Sequence, residues 1–258
     1  MTGGAQGVGW RGLVIPVAFF VLAELVARAT GWESSMLAVP SAIAIAFVTA
    51  LTDGTIFTAT LQTLATSLGG LALGAALGLL IGILLGLVRT ADRLLEFSIE
   101  AFRPIPAVAL IPIALLSFGF GFRMEIAIVA FAAFWPILIL TRAAVAGVEP
   151  RLIQVARALG FGAAARVWKI VLPAALPRIF VAFRLTAGIA LVVAVTVEIA
   201  ANPIGLGYNM MLAQQTLRPE LMLALLVWLG IVGWALNYAL LWSQQRLFGP
   251  AAMVRIEP

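Results

Sequence analysis

Three ionisable residues stand inside or beside long apolar runs: Arg103, Arg184 and Glu198. Charged side chains are costly inside a bilayer and usually face a cavity or a partner. Two cations along one path would lower the electrostatic barrier to a passing anion. The alternative is that both arginines extend to the lipid headgroups or pair with nearby carboxylates and carbonyl groups. If the chain passes an anion across a membrane, these three residues are candidates for lining the pathway.

The residues that most catalytic chemistry needs are missing. The chain has no Cys and no His, which removes disulfides, thiolate chemistry and the usual zinc and haem ligands. Its one Lys is Lys169, and no Gly-x-x-x-x-Gly-Lys sequence occurs, so a nucleotide must bind elsewhere. No cluster of acid and base residues stands out. We expect a chain without catalytic, metal or cofactor sites of its own.

Composition indicates an integral membrane protein. Hydrophobic residues make up 63% of the chain and charged residues 10%, and the mean hydropathy is +1.12, far from the values of a soluble domain. About 20 apolar residues cross a bilayer as a helix. Five apolar runs of this length occupy residues 12–29, 62–88, 125–145, 176–197 and 221–242. A sixth, over residues 96–118, contains three prolines and is predicted to be kinked or partly unwound. The expected fold is all-α, with about six transmembrane helices.

The first apolar run has some features of a signal peptide, because Arg11 precedes it and small residues lie near its end. It is long for a signal peptide, and it contains Glu24, which can pair with Arg28 one helical turn later. We therefore interpret it as a retained helix. The amphipathic stretch that follows, residues 40–51, is interpreted as a helix at the membrane interface.

The distribution of basic residues predicts the orientation. If six spans cross the membrane, both termini share one side, and that side collects twelve basic residues against three on the other. The twelve are Arg11, Arg89, Arg93, Arg103, Arg142, Arg151, Arg157, Arg166, Lys169, Arg178, Arg246 and Arg255; the three are Arg28, Arg123 and Arg218. Because basic residues concentrate in cytoplasmic loops, we expect both termini in the cytoplasm. The formal charge of +5 then reflects membrane orientation rather than nucleic-acid binding.

A charged segment, residues 149–173, separates the predicted fourth and fifth spans. Pro150 suits the first helical position and Gly160 the left-handed position after the last turn, so a short helix is predicted from about Pro150 to Leu159. Its apolar face is Leu152, Val155, Ala156 and Leu159, and its other faces carry Arg151, Gln154 and Arg157. A helix this short is stable only when docked. We expect it to contact another protein; the alternative is a helix resting on its own chain or on lipid headgroups.

Glycines recur every four residues along the second span, at Gly70, Gly74, Gly78, Gly82 and Gly86. Ladders of small residues let membrane helices approach closely. We call these five residues the glycine ladder. They favour static packing, within the subunit or across a homodimer, and the alternative is a sliding surface used in gating.

The spacing in residues 149–173 resembles a known loop. Gln154-Val155-Ala156 is followed after three residues by Gly160 and, after nine more, by Ile170-Val171-Leu172-Pro173. This is similar to the EAA loop of permease subunits of bacterial ATP-binding-cassette importers, Glu-Ala-Ala, three residues, Gly, nine residues, Ile-x-Leu-Pro. The spacing matches throughout. Gln154 stands where that family has Glu, and Val155 where it has Ala, which removes a charge from the docking face.

The resemblance extends over roughly residues 60 to 245 and is strongest to the nitrate, sulfonate and taurine branch. It is carried by Arg103-Pro104-Ile105-Pro106, Leu172-Pro173-Ala174-Ala175-Leu176-Pro177, Arg184-Leu185, Glu198 and Gly205-Leu206-Gly207-Tyr208. It implies a type I importer with two permease subunits, expected to form a homodimer. Its expected partners are two cytoplasmic ATPases that hold ATP and Mg, and an external substrate-binding protein.

The resemblance also implies roles for individual residues. Coupling to the ATPase is expected from Arg151, Leu152, Gln154, Val155, Ala156, Arg157, Leu159, Gly160, Leu172 and Pro173. Gly160 would allow the turn, whereas Leu172 and Pro173 would fix the start of the next span. Glu198 is expected to shape the outer gate or the contact with the binding protein.

On this interpretation the chain has three parts in a bacterial inner membrane. Residues 1–59 are the tail, first helix and interfacial helix; residues 60–246 are a permease core of five transmembrane helices; residues 247–258 are a cytoplasmic tail. The expected substrate is a small anion such as a sulfonate, taurine or nitrate, and the alternative is a pyrimidine or thiamine precursor. The alternative class is a secondary transporter without an ATPase, against which stand the modest length and the few intramembrane carboxylates.

Overall fold

The computed structural model describes residue 18, residues 21–22 and 24–29, and all of residues 38–249. This part of the chain is helical, without a strand. The helices are α1 (Pro40–Thr52), α2 (Thr55–Leu87), α3 (Arg89–Phe102), α4 (Ile111–Phe118), α5 (Phe122–Ala146), α6 (Pro150–Ala158), α7 (Ala163–Arg166), α8 (Leu172–Ala200), α9 (Gly205–Gln215) and α10 (Pro219–Phe248). A 3₁₀ turn (Ala107–Leu110) precedes α4, and a π-helical turn (Val167–Val171) joins α7 to α8. The predicted all-α fold is confirmed.

Four helical stretches are long and apolar enough to cross a membrane: α2, α5, Ala163–Ala200 and α10. A fifth candidate consists of α3 and Ala107–Phe118, which pass the same test together but are bent by 79°. Within the described residues the count is therefore four or five. Half of the run predicted at residues 12–29 lies outside them, and its described residues, 18, 21–22 and 24–29, are helical.

Prolines break the helix between α3 and α4. Pro104 and Pro106 have no N–H to donate, so two of the backbone hydrogen bonds that would continue α3 cannot form. Helix α3 accordingly ends at Phe102, and regular backbone resumes only at Ala107. The sequence predicted a kinked or partly unwound segment here, and the structure shows the unwound form.

The glycine ladder lies in the contact between α2 and α5, the most extensive helix contact in the described residues. A Cβ added at Gly78 would lie 2.8 Å from the Phe134 carbonyl oxygen and 3.0 Å from Ile137 Cγ2. Each of the other four glycines would likewise overlap α5. The ladder thus serves packing within the subunit, as the preferred interpretation predicted, and it brings the two backbones close together.

Helix α8 packs against this pair through small side chains. Ala187, Ala190 and Ala194 are almost fully buried and share a core cluster with Leu71 of α2 and Val129 of α5. Alanine at these positions allows close approach without requiring glycine. The three helices therefore form one tightly packed unit.

Helix α1 confirms the helix predicted over residues 40–51 and is held at its start by Glu24. The Glu24 carboxylate accepts a hydrogen bond from Arg28 Nε at 2.7 Å, the predicted pair. It also accepts one from the Ser41 backbone N–H at 3.0 Å and one from Ser41 Oγ at 2.8 Å. One side chain thus caps the first turn of α1 and ties the preceding segment to it.

Candidate functional sites

Helix α6 is built by the residues that the sequence singled out. Pro150 occupies its first turn, and Gly160 follows its end with φ +74°. Gly160 N–H donates to the Arg157 carbonyl and Phe161 N–H to the Ala156 carbonyl, both at 3.0 Å. These two bonds form a Schellman motif, which requires a left-handed residue at Gly160. The predicted short helix and its glycine stop are both present, with Leu159 as the capping residue rather than the last helical one.

The apolar face predicted for α6 is divided between two environments. Ala156 is fully buried, whereas Leu152, Val155 and Leu159 expose 43%, 56% and 67% of their surface. Trp168 nearby exposes 73%. Ala156 therefore anchors the helix to its own chain, and the three larger side chains remain available for another surface.

Contacts close to both ends of α6 fix its position relative to the spans. Before it, Gly147 O accepts a hydrogen bond from Arg178 Nη1 of α8 at 3.4 Å. After it, the Lys169 ammonium lies 5.6 Å from the centre of the Phe161 ring, within cation–π range. These contacts tie the residues on either side of α6 to the end of α5, to α8 and to the π-helical turn before α8.

Arg103 lines a cavity of about 490 Å³ beside the broken segment. Its other walls come from the broken segment itself, the 3₁₀ turn, α5 and α8: Ile105, Ala107, Phe131, Ala132, Trp135, Pro136, Ile139, Leu140, Ile189 and Val193. The nearest carboxylate to Arg103 is that of Glu100, at 3.8 Å, in an exposed pair worth little energetically. The arrangement is an apolar cavity with one cation at its wall.

The three candidate pathway residues lie in different environments. Arg184 is half-buried in α8 and has no ion pair or hydrogen bond with the described part of the chain. Glu198 is fully buried near the other end of α8. The structure therefore does not bring Arg103, Arg184 and Glu198 together at one site.

Glu198 takes part in capping the start of α9. The first three backbone N–H groups of this helix each donate to a side chain from another helix. Gly205 N–H donates to Gln62 Oε1 at 3.0 Å, Leu206 N–H to Thr63 Oγ1 at 2.9 Å, and Gly207 N–H to Glu198 Oε2 at 2.7 Å. A helix N-terminus carries partial positive charge, so a carboxylate is stabilising there.

Glycine is required at two of these positions. Gly205 has φ +86°, and a Cβ added to it would overlap the Glu198 carboxylate. A Cβ at Gly207 would overlap the Val195 carbonyl and the Glu198 side chain. The Gly205-Leu206-Gly207 sequence therefore lets α9 approach the side chain that caps it.

A second buried carboxylate, Glu125 at the start of α5, completes this polar cluster. Its Oε2 accepts a hydrogen bond from Asn202 Nδ2 at 2.6 Å. Asn202 also accepts at Oδ1 from the Gly121 N–H at 2.8 Å. Glu125, Glu198 and Asn202 are each 0% exposed. The cluster joins the starts of α5 and α9 to the end of α8.

Sequence reasoning missed Glu125 and the capping residues Gln62 and Thr63. Glu125 had one available signal, since it is an ionisable residue at the edge of an apolar run. Gln62 and Thr63 had none, because their role depends on α9, which is distant along the chain.

Several helices long and apolar enough to cross a membrane, with a short exposed helix between two of them, define a multi-pass membrane protein. The chain belongs to the family described as binding-protein-dependent transport system inner membrane component, which matches residues 74–249. It is therefore a permease of the ATP-binding-cassette importer class, as the loop spacing predicted.

Relatives of similar identity carry different substrate names. SsuC of Bacillus subtilis (strain 168), a permease assigned provisionally to aliphatic sulfonates, is 32% identical over 231 residues, covering 89% of this chain and 84% of SsuC. TauC of Escherichia coli (strain K12), a taurine transport system permease protein, is 31% identical over 158 residues, covering 61% and 58%. RibX of Chloroflexus aurantiacus, a riboflavin transport system permease protein, is 32% identical over 234 residues, covering 88% and 86%.

Solved structures show the same fold. A chain of the inward-facing MetNI methionine transporter superimposes with a TM-score of 0.65 at 23% identity, covering 72% of this chain and 92% of that one. A crystal structure of an amino acid ATP-binding-cassette transporter gives a TM-score of 0.65 at 19% identity, covering 78% and 98%. At such identities the likeness concerns the fold alone.

Proposed function

We propose that this chain carries a small anion, such as a sulfonate, taurine or nitrate, from an external binding protein to the cytoplasm by ATP-driven alternating access. Two copies would form the pathway, and an ATPase subunit that holds ATP and Mg would dock on α6 of each copy. On this proposal the protein lies in the bacterial inner membrane with α6 and both termini in the cytoplasm. The chain itself hydrolyses nothing.

The observation that carries this proposal is the exposed face of α6. Leu152, Val155 and Leu159 project from a helix that also presents Arg151 and Arg157, a combination suited to a cleft in a soluble partner. The helix is anchored through Ala156, and its flanking contacts reach Gly147 and Arg178. Closure of a partner ATPase pair would move α6, and the packed spans would move with it.

The test replaces two glycines in the same loop. Gly160→Val places a β-branched side chain at φ +74°, which is strained for any residue but glycine. Gly162→Val is the matched control, because Gly162 has φ −63° and ψ 165°. An added Cβ meets no atom within 4 Å at either position, so the backbone conformation is the difference between them.

In the complete importer we expect Gly160→Val to uncouple ATP hydrolysis from uptake, and to weaken co-purification of the ATPase, while Gly162→Val retains both. Normal uptake by Gly160→Val at normal expression would contradict the coupling role. Transport by a chain that purifies alone and needs no ATPase would instead support a secondary transporter.

The anionic substrate is supported by the cavity beside Arg103 and by the names of SsuC and TauC. RibX, at the same identity as SsuC, supports a flat heterocycle as the second candidate substrate. Pyrimidine and thiamine precursors belong to this class. Substrate-stimulated ATPase activity should be measured with taurine, an alkyl sulfonate, nitrate and riboflavin. Arg103→Gln should raise the concentration of an anion needed for half-maximal stimulation, whereas Arg93→Gln, on the exposed surface of α3, should not. An unchanged dependence in Arg103→Gln would remove Arg103 from the pathway.

A further inference from the structure

Two carboxyl groups meet in the protein interior without a counter-ion. Glu125 of α5 and Glu198 of α8 are both 0% exposed, and their carboxyl groups lie within hydrogen-bonding reach of each other. Neither forms an ion pair with any described residue. The groups that face them are uncharged: the hydroxyls of Thr63 and Thr66, the Asn202 amide and the Gly207 N–H. Arg123, the nearest cation along α5, is exposed.

Each carboxyl group has one oxygen with a partner and one without. Oε2 of Glu125 accepts from Asn202, and Oε2 of Glu198 accepts from Gly207. Oε1 of both residues is buried and has no hydrogen-bond partner, because the neighbouring Thr63 and Thr66 hydroxyls donate to backbone carbonyl groups of α2. A buried acceptor left without a partner is destabilising, and two unpaired negative charges side by side in a low-dielectric interior are more so.

We propose that Glu125 and Glu198 hold one proton between their two Oε1 atoms, so that a neutral carboxyl group and a carboxylate form one unit. A single proton gives both unpartnered oxygens a partner and removes one of the two charges. Glu198 keeps the charge, because its other oxygen receives the Gly207 N–H at the positive end of α9. Glu125 carries the proton, and its other oxygen still accepts from Asn202.

The consequence is that the attachment of α9 to the neighbouring helices depends on this proton. Gln62 and Thr63 hold this helix to α2, and Glu198 holds it to α8. Asn202, between α8 and α9, already hydrogen-bonds Glu125 of α5, and the shared proton adds a direct link from Glu198 to Glu125. Loss of the proton would leave two carboxylates in repulsion at the start of α9 and would loosen the helix.

The first test is thermal unfolding of the full chain, purified from membranes in mild detergent together with the subunits that accompany it. Glu125→Gln keeps a donor for Glu198 Oε1 and an acceptor for Asn202, so its Tm should stay within about 2 °C of the wild type. Glu125→Met removes the donor and leaves a buried carboxylate unsatisfied, so its Tm should fall by roughly 5–10 °C. Glu100→Gln and Glu100→Met, at a side chain 63% exposed, are the matched controls. Equal losses in Glu125→Gln and Glu125→Met would overturn the proposal.

The second test observes the proton and does not depend on the Met variant folding. At neutral pH the infrared spectrum of the wild type should contain one band from a protonated carboxyl group. The buried proton should exchange slowly in heavy water, so the band should shift slowly, and Glu125→Gln should lack the band. A wild type without such a band would overturn the proposal. The proposal would also be overturned if sodium, added at constant ionic strength, raised the Tm of the wild type but not that of Glu125→Gln. A cation rather than a proton would then lie between the two carboxylates.

Discussion

Gly78→Ala tests how tightly α2 and α5 are packed. The added Cβ would lie 2.8 Å from the Phe134 carbonyl oxygen and 3.0 and 3.1 Å from Ile137 Cγ2 and Cβ, whereas ordinary contact begins at 3.4 Å. The opposing atoms belong to the α5 backbone and to a branched Cβ, neither of which can rotate away. The helices must therefore separate by about half an ångström to admit one methyl group.

The expected loss follows from two opposing effects. Overpacking of a well-packed contact costs about 1–3 kcal/mol, and replacing a helical glycine by alanine recovers up to about 1 kcal/mol. Because the added Cβ meets the backbone of α5, the cost lies in the upper part of that range, about 2–3 kcal/mol. The net destabilisation is then about 1–2 kcal/mol, which corresponds to a fall in Tm of roughly 2–8 °C for a domain of this size. Gly78→Leu, with a far larger side chain at the same site, should prevent assembly before it affects transport.

Unfolding of the purified full chain can be followed by its intrinsic fluorescence, since it has 7 Trp. Gly188→Ala is the matched control, because Gly188 also lies within a long apolar helix but a Cβ there meets no atom within 4 Å. We expect Gly78→Ala to melt below the wild type and Gly188→Ala to melt at or above it. A Gly78→Ala variant as stable as the Gly188→Ala variant would refute the tight packing of the ladder.

Two further substitutions test smaller features. Arg142 Nε of α5 lies 2.5 Å from Asp92 Oδ1 of α3, and both side chains are about a quarter exposed. Arg142→Gln should therefore release α3 from α5 and lower the Tm by roughly 3–6 °C. A Tm equal to that of the wild type would show that this pair contributes nothing to stability. Leu217, just after α9, has left-handed backbone with φ +55°. Leu217→Gly should therefore raise the Tm by roughly 2–4 °C, whereas Leu212→Gly, inside α9, should lower it. A lower Tm in both variants would show that Leu217 is not strained.

Features with local signals were predictable. Proline at the start and glycine at the end are sufficient to place α6, because capping depends on residues within one turn of the helix end. Prolines likewise predicted the break after α3. The exposed and buried parts of α6 were not predictable in the same way, since the burial of Ala156 depends on the π-helical turn against which α6 packs.

Helix ends were less well predicted than helix positions. Residues 176–197 formed the predicted fifth span, but the helical stretch in the structure is Ala163–Ala200. The predicted span begins after Pro173, whereas Pro173 lies in the first turn of α8 and helical backbone already runs through Arg166 and Lys169. Hydropathy therefore marks the part of a helix that suits lipid rather than the whole helix.

Long-range partners had no local signal. The sequence marked Glu198 as unusual but gave no indication that Glu125 lies beside it. Similarly, the ladder predicted a close helix contact, but not that α5 provides it. These assignments require the order in which helices pack, which depends on side-chain shape across distant parts of the chain.

The ladder also limits how α2 can move. Its rungs are four residues apart, or about 6 Å along a helix that rises 1.5 Å per residue. If α2 slid along α5 by less than this spacing, side chains instead of glycines would face the opposing carbonyl groups. The two helices should therefore move together as one rigid unit, without sliding along each other. Any bending of the protein must then take place in the connections at the ends of α2 and α5.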